Sequence, residues 1–223
     1  MYVILASAFG CFVLLQFFYK LLGFTFWDSS NLVYGIYGVG VVRSIEWYFY
    51  TNPEMLDMSR IGDAVTWQEN LIVAVSAGYF LYDLPLSIKL GEAWYMFLHH
   101  VLSFLITLTI WYNQRCGFDI LLCLWLGEFT TPCAFWVFHV FDKPELKKSK
   151  WIIAARVAYV VFFIPLRFIL GPFLLYKLLF SETLLIVKLG CGFFYLVNLL
   201  MLRDIAKEIK AFLTPWKSQA ETI

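Results

Sequence analysis

The sequence predicts an all-α fold, a polytopic bundle of membrane helices. Three observations carry that prediction. Of 223 residues, 61% are hydrophobic and only 15% are charged. A soluble domain carries roughly 45–50% apolar and about 25% charged residues. The mean hydropathy is +0.75. The apolar residues fall into runs of about 20, enough to cross a hydrocarbon core of roughly 30 Å. Lipid leaves no backbone group unpaired, and these runs are too long for barrel strands, so each is read as a helix. Composition therefore excludes a cytosolic enzyme built on one core, a disordered chain and a disulfide scaffold. A net charge of +1 supplies no field for nucleic acid. Five cysteines lie scattered with no C-x-x-C pair, and read as small buried thiols.

The elements follow in order. The first run, residues 1–23, is interrupted only by Gln16 and Lys20. It lacks a basic leader and exceeds a secretory signal's apolar region, so it reads as a retained N-terminal span over 1–24. The second run covers about 32–50 and carries Arg43 and Glu46, followed by a polar loop with Asn52-Pro53. The third run spans 71–88 and the fourth 94–112, joined by a loop of only about 89–93. They must form an antiparallel hairpin. The fifth run extends from Phe118 to about Val140, and a basic loop over 142–150 follows. The sixth, about 151–180, contains Pro165 and Pro172 and is expected to kink, since each proline deletes a backbone hydrogen bond. The seventh, about 184–202, leads into a charged cytosolic tail, 211–223. Seven spans are expected, or six if the first run does not cross.

With seven spans, Lys20, Lys89, Lys143, Lys147, Lys148, Lys150, Arg203, Lys207, Lys210 and Lys217 share one side, against Arg60, Arg115 and Lys177 on the other. The bias places the C-terminus in the cytosol.

Ionisable residues inside spans are costly, and each is a candidate functional group. Asp83 lies just before the tight loop and His99 just after it. At 1.5 Å per residue both sit about 8 Å below the same boundary, where they can meet. A carboxylate on one imidazole nitrogen fixes the tautomer and leaves the other free as a base. His99 and His100 diverge by about 100° round a helix, so only one of them holds that direction. Glu128 lies near the middle of span five, in Gly127-Glu128-Phe129-Thr130-Thr131-Pro132, and Arg167 near the middle of span six is its expected partner. Arg43 and Glu46, three apart, are expected to pair with each other. Adjacent histidines point to different sectors and no His-x-x-x-His spacing occurs, so no metal site is expected.

These segments resemble the TLC-domain family, the TRAM, Lag1 and Cln8 homology group. The resemblance rests on Gly78-Tyr79-Phe80-Leu81-Tyr82-Asp83, His99-His100-Val101-Leu102-Ser103, Glu128-Phe129-Thr130-Thr131-Pro132, and Arg167 with Gly171-Pro172. It covers roughly 25–210, and its Glu-x-Thr-Thr-Pro form is similar to the small TLC-domain proteins more than to ceramide synthases. It implies a six-helix core around a cavity, preceded here by the N-terminal span. It also implies a role in lipid metabolism or homeostasis, with an endomembrane such as the endoplasmic reticulum expected before the plasma membrane. The chain departs from the Lag1 signature: Glu128 stands in the span comparable to the one bearing a second His-Asp pair.

Three function readings stay open, the third being a seven-helix receptor or small transporter, to which nothing in the sequence points. In the first, the protein transfers an acyl group from acyl-CoA, a co-substrate rather than a bound cofactor, to a lipid amine or hydroxyl. His99 or His100 would be the base or acyl acceptor and Asp83 its orienting acid. Glu128 would polarise the cavity, and Arg167, Thr130 and Thr131 would bind substrate. In the second, the same cavity serves a non-catalytic lipid sensor, chaperone or cargo adaptor. The partners in the first two are membrane lipids and a fatty acyl chain.

Overall fold

The chain is a polytopic helical bundle with a greasy exterior. Its computed structural model describes residues 1–130 and 149–220, with side chains as far as 207 except that of Asp204. The helices are α1 (Tyr2–Gln16), α2 (Phe26–Thr51), α3 (Trp67–Leu90), α4 (Trp94–Asn113), α5 (Gly117–Glu128), α6 (Lys150–Pro165), α7 (Gly171–Leu179) and α8 (Leu185–Ala220). Among the described residues, five helical stretches are long and apolar enough to cross a membrane: Tyr2–Leu21, Trp67–Leu90, Trp94–Asn113, Lys150–Leu179 and Leu185–Lys207. Of the other two expected spans, α2 is 26 residues long, about 39 Å, but carries Asp28, Arg43 and Glu46. The fifth is described only as far as Thr130.

Polarity is distributed inside out. Ile36, Val39, Leu105, Val161, Ile169, Leu189 and Leu196 face outward, while Ser76, Asp83, His100, Ser103, Thr107, Glu128 and Asn198 are buried. In water such an exterior would aggregate; in lipid it is the expected solvation. The apolar core between the helices is built on Ile45, Val73, Ile106, Ile110, Leu121 and Leu178, with Tyr37 stacked on Tyr79 at 3.7 Å between ring centres.

Local chemistry explains where the helices begin and end. Helix α2 starts six residues before its apolar run, because the Thr25 hydroxyl accepts from the Asp28 backbone N–H at 3.0 Å. Helix α3 starts at a reciprocal cap between Thr66 and Glu69. It ends at Gly91, whose φ of +65° suits glycine, and the Glu92 N–H bonds back to the Ser87 carbonyl at 3.1 Å. The α3–α4 hairpin is therefore as tight as its sequence requires.

Helix α1 is seated directly on α3. A side chain at Gly78 would overlap the Ile4 carbonyl oxygen and bring its Cβ to 2.5 Å from Ser7 Cβ. Ser7 Oγ donates to the Val75 carbonyl at 2.8 Å, and Ala74 and Ala77 complete the small-residue face against Ile4. Small residues let two membrane helices approach closely, and dispersion with one hydrogen bond then holds them.

The sixth run does deform at its prolines. Between α6 and α7 the backbone widens into a π-helical turn, Leu166–Leu170, and the Gly171 N–H reaches the Leu166 carbonyl. Such one-turn π segments re-aim side chains and recur at functional sites. This one carries Arg167.

Candidate functional site

The tight α3–α4 hairpin brings Asp83 to the histidine doublet, and it selects His100. His100 Nδ1 lies 2.5 Å from Asp83 Oδ2, and both residues are buried. Ser87 Oγ lies 2.9 Å from the same nitrogen and donates to Asp83 Oδ2 at 3.4 Å. From the hairpin loop, Glu92 Oε2 comes within 3.8 Å. Glu92 stands outside the spans; burial pushes its carboxyl above the ordinary range, and His100 partly offsets this. His100 is thus enclosed between two acids and a hydroxyl.

His99 points elsewhere. It lines a partly open cavity of about 110 Å³ bordered mainly by α4, α5, the π turn, α7 and α8, with Tyr34 of α2 and Phe80 of α3 also in its lining. Its Nδ1 is buried with no hydrogen-bond partner among the described residues, and its ring meets the Phe194 ring edge-on at 4.7 Å between centres. On α4, His99, Ser103 and Thr107 lie at successive turns of one face, and all three line the cavity. One water needs roughly 10–15 Å³ on this measure, so the void accommodates several waters or part of a larger ligand.

Arg167 enters the cavity from the π turn. It donates to Asn198 Oδ1 at 3.1 Å and to the Gly127 carbonyl, and stacks over Phe163 at 5.7 Å. Glu128, next to Gly127 and 7% exposed, lines the same void. The guanidinium therefore engages the backbone beside Glu128 and an asparagine on α8. Thr130 is buried beside this wall without lining the void. Thr131 lies outside the described residues.

The cavity lining is mainly apolar, with Ser103 and Thr107 along α4 and further polar groups around Arg167. Arg167 bonds Asn198, Asn198 lies one turn from Phe194, and Phe194 touches His99. Glu128 adjoins the Gly127 carbonyl that Arg167 holds. These groups form one polar end. Ile120 and Leu124 line the wall one to two turns back along α5, and Leu174 and Leu178 lie two to three turns on from Arg167. From Glu128 to Ile120 the apolar wall extends about 12 Å.

Other expected groups have structural partners. Arg43 pairs with Glu46 at 2.6 Å on an exposed surface. Lys188 Nζ donates to the Leu179 and Ser181 carbonyls at 3.1 and 2.7 Å, closing the C-terminal end of α7.

Sequence reasoning passes over several groups that matter here. Asn198, Ser103 and Thr107 are neutral, so a search for intramembrane charge ignores them. Glu69 and Asp119 lie at span ends, where a charge costs little to expect, yet both are fully buried. Glu69 accepts from Arg60 at 2.9 Å and Tyr48 at 3.0 Å. Asp119 accepts from the Gly62 N–H at 3.0 Å and Thr183 at 2.8 Å. The two tie the 52–66 loop to the α4–α5 and α7–α8 turns, at the end of the bundle opposite the α3–α4 hairpin. The S/T-x-x-E pattern of Thr66-Trp67-Gln68-Glu69 was the available signal for the first.

Among the described residues no group of three or more His, Cys, Asp or Glu is placed to hold a metal ion. A family model, that of the TLC domain, matches residues 2–204 and so takes in α1. Neither the comparison with curated proteins nor that with solved structures gives a match.

Proposed function

Since the chain belongs to the TLC-domain family, we propose that it binds a membrane lipid in the α4–α8 cavity and acts in membrane-lipid homeostasis. One observation carries this reading: half-buried His99 and Arg167 and buried Glu128 and Asn198 line one cavity together with Ile120, Leu124, Leu174 and Leu178. An amphipathic cavity inside a bundle suits an amphipathic ligand. Arg167 and Asn198 offer donors to a headgroup oxygen, and Glu128 offers an acceptor to a hydroxyl or amine. The first acyl carbons would lie along Ile120, Leu124, Leu174 and Leu178.

Lipid extracted from the purified protein tests this. The wild type should carry over a defined lipid class, and Arg167→Met should lose most of it while remaining monodisperse. Equal lipid content in the two proteins would reject the headgroup assignment.

A second reading, acyl transfer from acyl-CoA, is favoured by His99 of the cavity lining, whose Nδ1 has no hydrogen-bond partner among the described residues. An imidazole free of an internal partner can take a proton from a lipid amine or hydroxyl as it attacks the thioester carbonyl. Asp83 supports this only indirectly, because it holds His100 rather than His99. Release of CoA from labelled acyl-CoA by the wild type, absent in His99→Ala, would establish it. Lipid carry-over without CoA release would leave the sensor or chaperone reading. A cytosolic C-terminus and an endomembrane location belong to the same proposal.

A further inference from the structure

Neither reading uses the two thiols in the cavity wall. Cys123 of α5 and Cys191 of α8 stand 68 residues apart in sequence, yet their sulfurs are 3.3 Å from each other. Both are free thiols and both line the void. Cys123 precedes Gly127 by one turn and Cys191 precedes Phe194 by less than one. The pair thus lies on the apolar side of the polar cluster, where the upper part of an acyl chain would pass.

We propose that Cys123 and Cys191 form a peroxide-oxidisable thiol pair that staples α5 to α8 across the cavity wall. The reaction consumes one peroxide for each disulfide. One thiol sulfur attacks the outer peroxide oxygen of ROOH. The O–O bond breaks, ROH leaves with the thiol proton, and the sulfur becomes a sulfenic acid. The second sulfur attacks the sulfenic sulfur, the S–S bond forms, and water departs with the second proton. Two thiols and ROOH give a disulfide, ROH and water, with two electrons passing from sulfur to oxygen. The sulfurs already touch, so the second step needs a rotation about the side-chain bonds and little movement of the helices. The disulfide then adds a covalent tie between two walls that Arg167 already bridges by hydrogen bonds to the Gly127 carbonyl and Asn198.

The thiol pair rests on the cavity alone. Delivery of a peroxide on an acyl chain rests on the lipid reading as well. Two oxidants separate these cases. The full chain in nanodiscs is treated with hydrogen peroxide in one arm and with a phospholipid bearing an acyl hydroperoxide in the other. It is then alkylated and mapped by mass spectrometry. A Cys123–Cys191 peptide lighter by two hydrogens in either arm supports the pair, and its loss in Cys123→Ser and Cys191→Ser confirms the linkage. A crosslink with hydrogen peroxide alone keeps the pair and counts against acyl delivery. Recovery of both residues as alkylated thiols in both arms, or crosslinks through other cysteines only, overturns the proposal. The wild-type map decides even if a serine variant fails to fold.

Discussion

The division of work within the histidine doublet makes the sharpest prediction. His100 is 8% and Asp83 6% exposed, with Nδ1 and Oδ2 2.5 Å apart. Truncating one member of a buried pair leaves the other charged and without its counter-charge, which costs about 3–5 kcal/mol. His100→Ala should therefore destabilise the bundle by about 3–5 kcal/mol, shifting the folded-to-unfolded ratio by at least a hundredfold at ~1.4 kcal/mol per decade. Replacing both members by leucine removes the orphaned carboxylate with the imidazole and should restore most of that loss. Among the described residues His99 holds no ion pair. His99→Ala gives up chiefly the edge contact with Phe194, about 0.5–1.5 kcal/mol. Equilibrium unfolding in mixed micelles reads all three variants, and lipid extraction reads the ligand. The expected pattern crosses over: His100→Ala loses stability but keeps lipid per folded molecule, whereas His99→Ala keeps stability and loses lipid. If the two alanine variants cost the same, or His100→Ala costs less than about 1 kcal/mol, then Asp83 is no brace on His100.

Three further outcomes are expected. Gly78→Val should force α1 off α3, costing about 1–3 kcal/mol; amide exchange should accelerate over 2–16 and stay unchanged in α5. Arg60→Met should cost about 3–5 kcal/mol, because Glu69 is fully buried and loses its cation. Adding Glu69→Gln should recover part of that in the same unfolding assay. Glu92 titrates above its ordinary value through burial. Its contribution to stability is full below the unfolded carboxylate value of about 4.3 and is lost as pH rises through the raised folded value. Glu92→Gln should therefore raise stability at neutral pH and flatten the curve through the acid range; a curve of unchanged slope would exclude the linkage.

Much of this protein was legible in the chain. Composition and run length determined the environment and the helical class, since lipid permits no other pairing of the backbone. The short loop around Gly91 determined the α3–α4 hairpin and placed Asp83 level with the doublet. Pro165 and Pro172 marked where the sixth run deforms. Spacing also determined that His99 and His100 diverge, because residues on one helix keep fixed relative angles. Which of them meets Asp83 depends on how α4 is rotated against α3 and α8, and that rotation is set by packing over the whole bundle, with Gly190 of α8 pressed against Ile106 as one of its contacts. The same holds for Arg167: its charge and depth are in the sequence, but its contact with Asn198 and the Gly127 carbonyl exists only once α5, the π turn and α8 converge. Cys123 and Cys191 read as scattered thiols for the same reason. Helical periodicity propagates along one chain segment and carries no information about the azimuth of its neighbour.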